Sequence, residues 1–155
     1  MMKLFGFLLF FSTFLFYSCN NDIVYEKEIE LQESIFTKSD ELKFEFEILD
    51  TISKYDLYLE VDHDVQFAFQ NLYVKIKTIF PDKKSIEDVV SLELSKSGTE
   101  WQGNCSGDNC IVTILLVEKT MFQSLGKYQI LVNQHGRDKK IEGINSLKLI
   151  VKKQL

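Results

Sequence analysis

Apolar and polar residues alternate through most of this chain. In residues 42–48, Leu42, Phe44, Phe46 and Ile48 are separated by Lys43, Glu45 and Glu47. A period of two puts one set of side chains on a core and the other in water. The spacing returns in Tyr55, Leu57, Leu59 and Val61, then in Leu72, Val74 and Ile76, and in Val90, Leu92 and Leu94. It recurs in Val112, Ile114 and Leu116, in Tyr128, Ile130 and Val132, and in Leu147, Leu149 and Val151. Residues 24–31 form a weaker run that suits an edge strand. Turn-type segments at 37–40, 81–85, 95–98 and 135–137 divide the runs, giving about eight strands. The best helical stretch, residues 85–90, is too short to stand alone. This pattern predicts an all-β fold: an antiparallel β-sandwich, jelly-roll-like, in preference to a small barrel.

The first 19 residues depart from the pattern. Met1, Met2 and Lys3 give a short positive start, and residues 4–17 are apolar apart from Ser12 and Thr13. A run of that length fits the core of a signal peptide and falls short of the roughly 20 residues a membrane-crossing helix needs. Ser18-Cys19 then resembles the lipobox of bacterial lipoproteins, in which the cysteine is acylated, palmitate included, and the chain is cut just before it. A lone thiol left in an oxidising compartment is the less favourable alternative. The expected organisation is a signal peptide at 1–18, a lipidated tether at 19–22 with the lipid on Cys19, and a single β-sandwich domain at 23–155.

Composition narrows the function classes. Cleavage removes Lys3 alone among charged residues. The 18 basic and 23 acidic residues of the whole chain therefore become 17 and 23, a net charge of −6. An acidic domain does not suit nucleic acid, which wants a basic face. Pro81 is the only proline and no low-complexity linker divides the chain, so one domain is expected.

Candidate chemistry is sparse. Cys105 and Cys110 bracket Cys-Ser-Gly-Asp-Asn-Cys, and in an exported protein a disulfide is the favoured reading. A free pair comes second and a metal or redox centre last, because His63 and His135 are the only histidines available as further ligands. Asp62-His63-Asp64 ends an alternating strand, where successive side chains point to opposite faces and cannot converge. No nucleophile elbow, metalloprotease helix, P-loop or dinucleotide motif occurs. The expectation is therefore no enzyme activity, no metal, no cofactor and no small-molecule substrate. Tyr58 and Tyr73 fall on the outward parity of their strands and Trp101 lies beside a turn, which makes these three a candidate platform for a sugar or a protein partner. The competing reading is that they pack under loops.

An ordered set of segments carries a family resemblance: Val24-Tyr25-Glu26, Leu42-Lys43-Phe44-Glu45-Phe46 leading to Asp50, and Tyr55-Asp56-Leu57-Tyr58-Leu59. Asn71-Leu72-Tyr73-Val74, Gly126-Lys127-Tyr128 and the tail 134–149 with Arg137, Gly143 and Ile144 follow in order. Together they resemble the GldH family of gliding-motility lipoproteins across nearly all of the mature chain. Phe36, Asp62, Ala68 and the Cys105/Cys110 pair depart from that family's pattern. The resemblance implies a lipid-anchored, non-enzymatic component of the gliding machinery, associated with type IX secretion and partnered by other envelope motility proteins. It further implies an outer-membrane anchor facing the periplasm, and Asp50-Thr51-Ile52 resembles an O-glycosylation sequon of such bacteria. The alternative is a carbohydrate-binding envelope lipoprotein using Trp101, Tyr58 and Tyr73.

Overall fold

The computed structural model describes residues 22–98 and 100–154, and the alternating runs in it are strands. In chain order these are β1 (Ile23–Glu30), β2 (Ile35–Thr37), β3 (Glu41–Ile48), β4 (Tyr55–Asp64), β5 (Asn71–Ile79) and β6 (Ser85–Glu93). They continue with β7 (Asn104–Ser106), β8 (Asn109–Thr120), β9 (Gly126–Gln134), β10 (Lys140–Glu142) and β11 (Ile144–Lys153). The eight long strands are the eight the alternation predicts. Three strands of three residues each, β2, β7 and β10, bring the total to eleven, because a period of two cannot declare itself over three positions. Residues 85–90, the best helical stretch, are strand: Ile86, Val89 and Val90 pair with β5 in unbroken register, and β-branched side chains favour the pleated surface.

The strands form two main sheets, ordered β1-β11-β4-β8-β7 and β3-β9-β5-β6, with β10-β2 as a small third ladder. All pairings are antiparallel. Numbering only the eight long strands gives 1-8-3-6 facing 2-7-4-5, the jelly-roll order: a ribbon of four hairpin-like pairs folded over on itself. Phe44, Phe46 and Ile48 of β3 and Tyr128, Ile130 and Val132 of β9 point inward from one sheet. Leu57, Leu59 and Val61 of β4 with Leu147, Leu149 and Val151 of β11 meet them from the other. Full burial of such a side chain stabilises by about 1.5–3 kcal/mol, so this interior holds the two sheets together. Where β1 meets β3, Tyr25 lies 5.4 Å from Phe46.

Alternation misplaces Leu131, an outward position of β9 that is buried, and also Asp56. It puts Asp56 in water, yet Asp56 is buried. Between Tyr55 and Leu57 the partner strand β8 carries an extra residue, and in that bulge Lys119 has φ +49°. The Lys119 N–H donates to Asp56 Oδ1 at 2.7 Å. Tyr58 Oη donates to Oδ2 at 3.2 Å, and the Gln154 amide donates to the same oxygen. The carboxylate is buried because it satisfies a backbone group that the bulge has taken out of the ladder.

The register sorts the connections to two ends. Ile23 pairs with Lys152, Lys153 with Tyr55, Tyr55 with Thr120, Ile48 with Gly126, and Ile79 with both Ser85 and Gln129. Asp22 therefore shares one end, the tether end, with the connections 49–54, 80–84 and 121–125. The opposite, distal end gathers 31–40, 65–70, 94–108 and 135–139. Among the described residues no helix is long and apolar enough to cross a membrane.

Candidate functional site

The distal end holds the best-formed hollow, about 650 Å³. One wall comes from the β4–β5 connection and the start of β5. Asp64 begins this wall locally: its Oδ1 accepts Gln66 N at 2.7 Å and its backbone oxygen accepts Phe67 N at 3.0 Å. That tight turn is a side-chain-capped one. It tucks Phe67 into the core and leaves Phe69 outside, with the two rings 5.7 Å apart. Phe69, Gln70, Asn71 and Tyr73 line this side, and Phe69 and Tyr73 are 45% and 48% exposed.

The other wall is the connection from β9 to β10. His135, Gly136, Arg137 and Asp138 line it, with Ile141 of β10 beneath. Tyr73 O accepts His135 N at 2.9 Å, joining the two walls. Gln134, the last residue of β9, is buried and donates from Nε2 to Asp138 O at 2.9 Å. Lys38 Nζ donates to Arg137 O at 3.2 Å. These bonds hold the connection by its backbone and leave the Arg137, Asp138 and His135 side chains at the rim. A second hollow of about 530 Å³ adjoins the first through His135 and Gly136 and adds Lys38, Lys75 and Asn133. Gln134 lines it too, and its Oε1 is buried without a hydrogen-bond partner among the described residues.

Two flat rings beside an amide, a guanidinium and a carboxylate make a surface that can stack on an apolar face and hydrogen-bond its edges. Among the described residues no group of three His, Cys, Asp or Glu side chains gathers in metal-binding geometry.

The sequence-predicted residues fall as follows. Cys19 lies outside the described residues. Cys105 and Cys110 are joined by a disulfide across directly paired positions of β7 and β8 at the distal end. Just before β7, Gly103 has φ +81°, and a Cβ there would lie 2.1 Å from Ile111 O, so only glycine lets the hairpin close this tightly. Tyr58, Tyr73 and Trp101 share no surface. Tyr58 is half-buried on the outer face of the five-stranded sheet, opposite Leu115 and Ile150. Tyr73 projects from the other sheet into the hollow. Trp101 is a packing residue: its Nε1 donates to Val65 O at 2.9 Å and its ring lies 4.6 Å from the fully buried His63. Asp62 and Asp64 flank His63 on the opposite face, half-buried, and the three do not converge. Phe69, Arg137 and Asp138 complete the hollow. No local signal marks them, since the two walls lie more than sixty residues apart and meet only through β5–β9 pairing.

Residues 23–149 match the family described as GldH lipoprotein. The chain is 28% identical over 142 residues to a gliding motility lipoprotein GldH homolog of Christiangramia forsetii, covering 91% of this chain and 86% of that protein. It is 23% identical over 141 residues to gliding motility lipoprotein GldH of Flavobacterium johnsoniae, covering 90% and 87%. Among solved structures, a family GH115 4-O-methyl-α-glucuronidase aligns over 83% of this chain and 14% of that one, at 14% identity and a TM-score of 0.43. That likeness is too slight to carry an argument. The match over most of the domain places the family beyond the individual segments: this chain belongs to the GldH lipoprotein family.

Proposed function

We propose that this GldH-family chain is a lipid-anchored, non-enzymatic component of the gliding machinery that works by holding a partner protein against its distal hollow. The names of its relatives supply the motility context. The observation that carries the rest is the hollow itself: exposed Phe69 and Tyr73, flanked by Arg137 and Asp138, at the end of the sandwich opposite Asp22. A domain tied to a membrane at one end and presenting aromatic and charged groups at the other suits an adaptor. Exposed rings of this kind are common anchors of protein interfaces. In this reading Cys19 carries the acyl chains, the anchor sits in the outer membrane facing the periplasm, and the partners belong to the envelope motility apparatus coupled to type IX secretion.

The test is cross-linking and recovery of the tagged, anchored protein from a gliding host. Tyr73→Ala is expected to cut recovery of motility partners at least about tenfold, the loss typical of a truncated interface anchor, with the domain still folded. Equal recovery with wild type and variant, or no partner with either, overturns the proposal.

One observation favours a second reading. The Tyr73 ring shares its hollow with Asn71, Arg137 and Asp138, the combination of stacking face and planar hydrogen-bonding groups that holds a sugar ring. Binding on a glycan array that Tyr73→Ala abolishes would select a carbohydrate ligand over a protein.

A further inference from the structure

The tether end carries an apolar surface of its own. The three most exposed large hydrophobic side chains among the described residues are Ile52 (86%), Leu49 (79%) and Leu125 (60%), and all three lie there. Because Ile48 pairs with Gly126, Leu49 and Leu125 leave the sheet side by side. Met121 of the same connection is exposed too. Exposed apolar side chains grouped on one end of a domain mark a contact surface rather than scatter.

The 49–54 connection is built to present its tips. Asp50 Oδ1 accepts Ile52 N at 2.8 Å and Ser53 N at 3.2 Å, while Oδ2 accepts Ser53 Oγ at 2.6 Å and Lys153 Nζ at 2.8 Å. Tyr55 Oη donates to Asp50 O at 2.9 Å. The polar groups of the loop are thus turned inward on each other and Leu49 and Ile52 are left facing out.

Charge and reach identify what they face. The tether-end connections and Lys153 hold Lys54, Lys83, Lys84 and Lys153 against Asp22, Asp50 and Asp82, a net +1 on a mature chain of −6. Asp50 and Asp82 are engaged by Lys153 and Lys84, whereas Lys54 and Lys83 are exposed and make no ion pair among the described residues. The distal connections hold Glu33, Asp40, Glu100, Asp108 and Asp138 against Lys38, Lys96, Arg137 and Lys139, a net −1, so the tether end is the one an anionic surface repels less. Cys19 precedes Asp22 by three residues, which span about 10 Å at full extension. A lipid on Cys19 therefore leaves this end no room to stand clear of the headgroups.

We infer that the tether end lies on the bilayer, with Leu49, Ile52 and Leu125 among the lipid headgroups and Lys54 and Lys83 beside them, fixing the sandwich upright. Apolar insertion together with attraction to anionic lipid is the usual basis of such interfacial seating. The inference rests on the lipid anchor at Cys19 proposed above. It aims the distal hollow away from the membrane. It also excludes O-glycosylation of Thr51, which lies between the two apolar tips.

Trp101, the only tryptophan, lies at the distal end and serves as a built-in control. The purified, acylated chain is reconstituted in vesicles of phosphatidylethanolamine and phosphatidylglycerol, with and without acyl-chain-brominated lipid. The indole introduced by Ile52→Trp is expected to be quenched about twofold by the brominated lipid, as for a group seated at the acyl boundary. Trp101 in the wild type is expected to be unquenched. An acylated chain with neither indole quenched, or with Trp101 quenched equally, overturns the inference and leaves the anchor standing. So does a glycan on Thr51 in the purified protein. A chain whose mass shows no acyl group and which stays out of the vesicles overturns the anchor and the inference together.

Discussion

Asp56 shows how one side chain can look like surface in sequence and serve the interior in structure. Its place in Tyr55-Asp56-Leu57 assigns it to water, and no local signal announces the bulge in β8 that leaves the Lys119 N–H in need of an acceptor. Replacing Asp56 with Ala strands that N–H and the Tyr58 hydroxyl. We expect a loss of about 1–3 kcal/mol in denaturant unfolding, the cost of a buried donor left unmade. Trp101 teaches the complementary lesson. It is a plausible sugar platform in sequence, but its N–H is committed to Val65 O and its ring to His63 and Phe67. Trp101→Ala should lower stability by about 2 kcal/mol through lost apolar contact and leave partner recovery per folded molecule unchanged. Tyr73→Ala should do the reverse, with stability within about 0.5 kcal/mol of wild type, as for exposed positions generally.

At the scale of elements, the 49–54 connection and the β7–β8 hairpin are stabilised by different chemistry and should fail under different conditions. Lys153, with Ser53 and the Ile52 and Ser53 N–H groups, holds the Asp50 carboxyl well below its ordinary value of 3.8. The depressed folded pKa means this support is present above about pH 4 and is lost as the pH falls further. Asp50→Asn should therefore flatten the acid limb of the stability curve and leave it unchanged in shape near neutrality, as thermal unfolding against pH would show. The hairpin depends on redox state instead. Its cross-link spans only five residues in sequence, so replacing Cys105 and Cys110 together with Ala should cost about 2 kcal/mol by the chain-entropy model. The hollow, on the other sheet, should keep its binding. The eight long strands were legible because alternation is local and each run exceeds a few residues. The strands β2, β7 and β10 were not, since each forms only where a distant or turning partner supplies the ladder.

The whole molecule has a polarity that sequence alone does not display. Which connections share an end follows from register, and register depends on pairings such as Ile23 with Lys152 and Ile48 with Gly126. Once the jelly-roll order is known, Asp22, the exposed Leu49, Ile52 and Leu125 and the uncommitted lysines fall at one end. The Phe69–Tyr73 hollow and the disulfide hairpin fall at the other. The hollow was only partly legible: Tyr73 could be picked by outward parity, but its neighbours Arg137 and Asp138 arrive through β5–β9 pairing. Fold class thus follows from periodicity, while sheet order and the site follow from long-range assembly.

The most direct test of this account is colony spreading by a host strain lacking the gene and complemented with wild type, Cys19→Ala or Phe69→Ala/Tyr73→Ala. The account predicts that wild type restores spreading and secretion of surface adhesins, that Cys19→Ala fails for want of an anchor, and that the hollow variant fails although folded and anchored. Full spreading by the hollow variant would contradict the assignment of function to the distal end. Normal spreading by the deletion strain itself would contradict the role in gliding altogether.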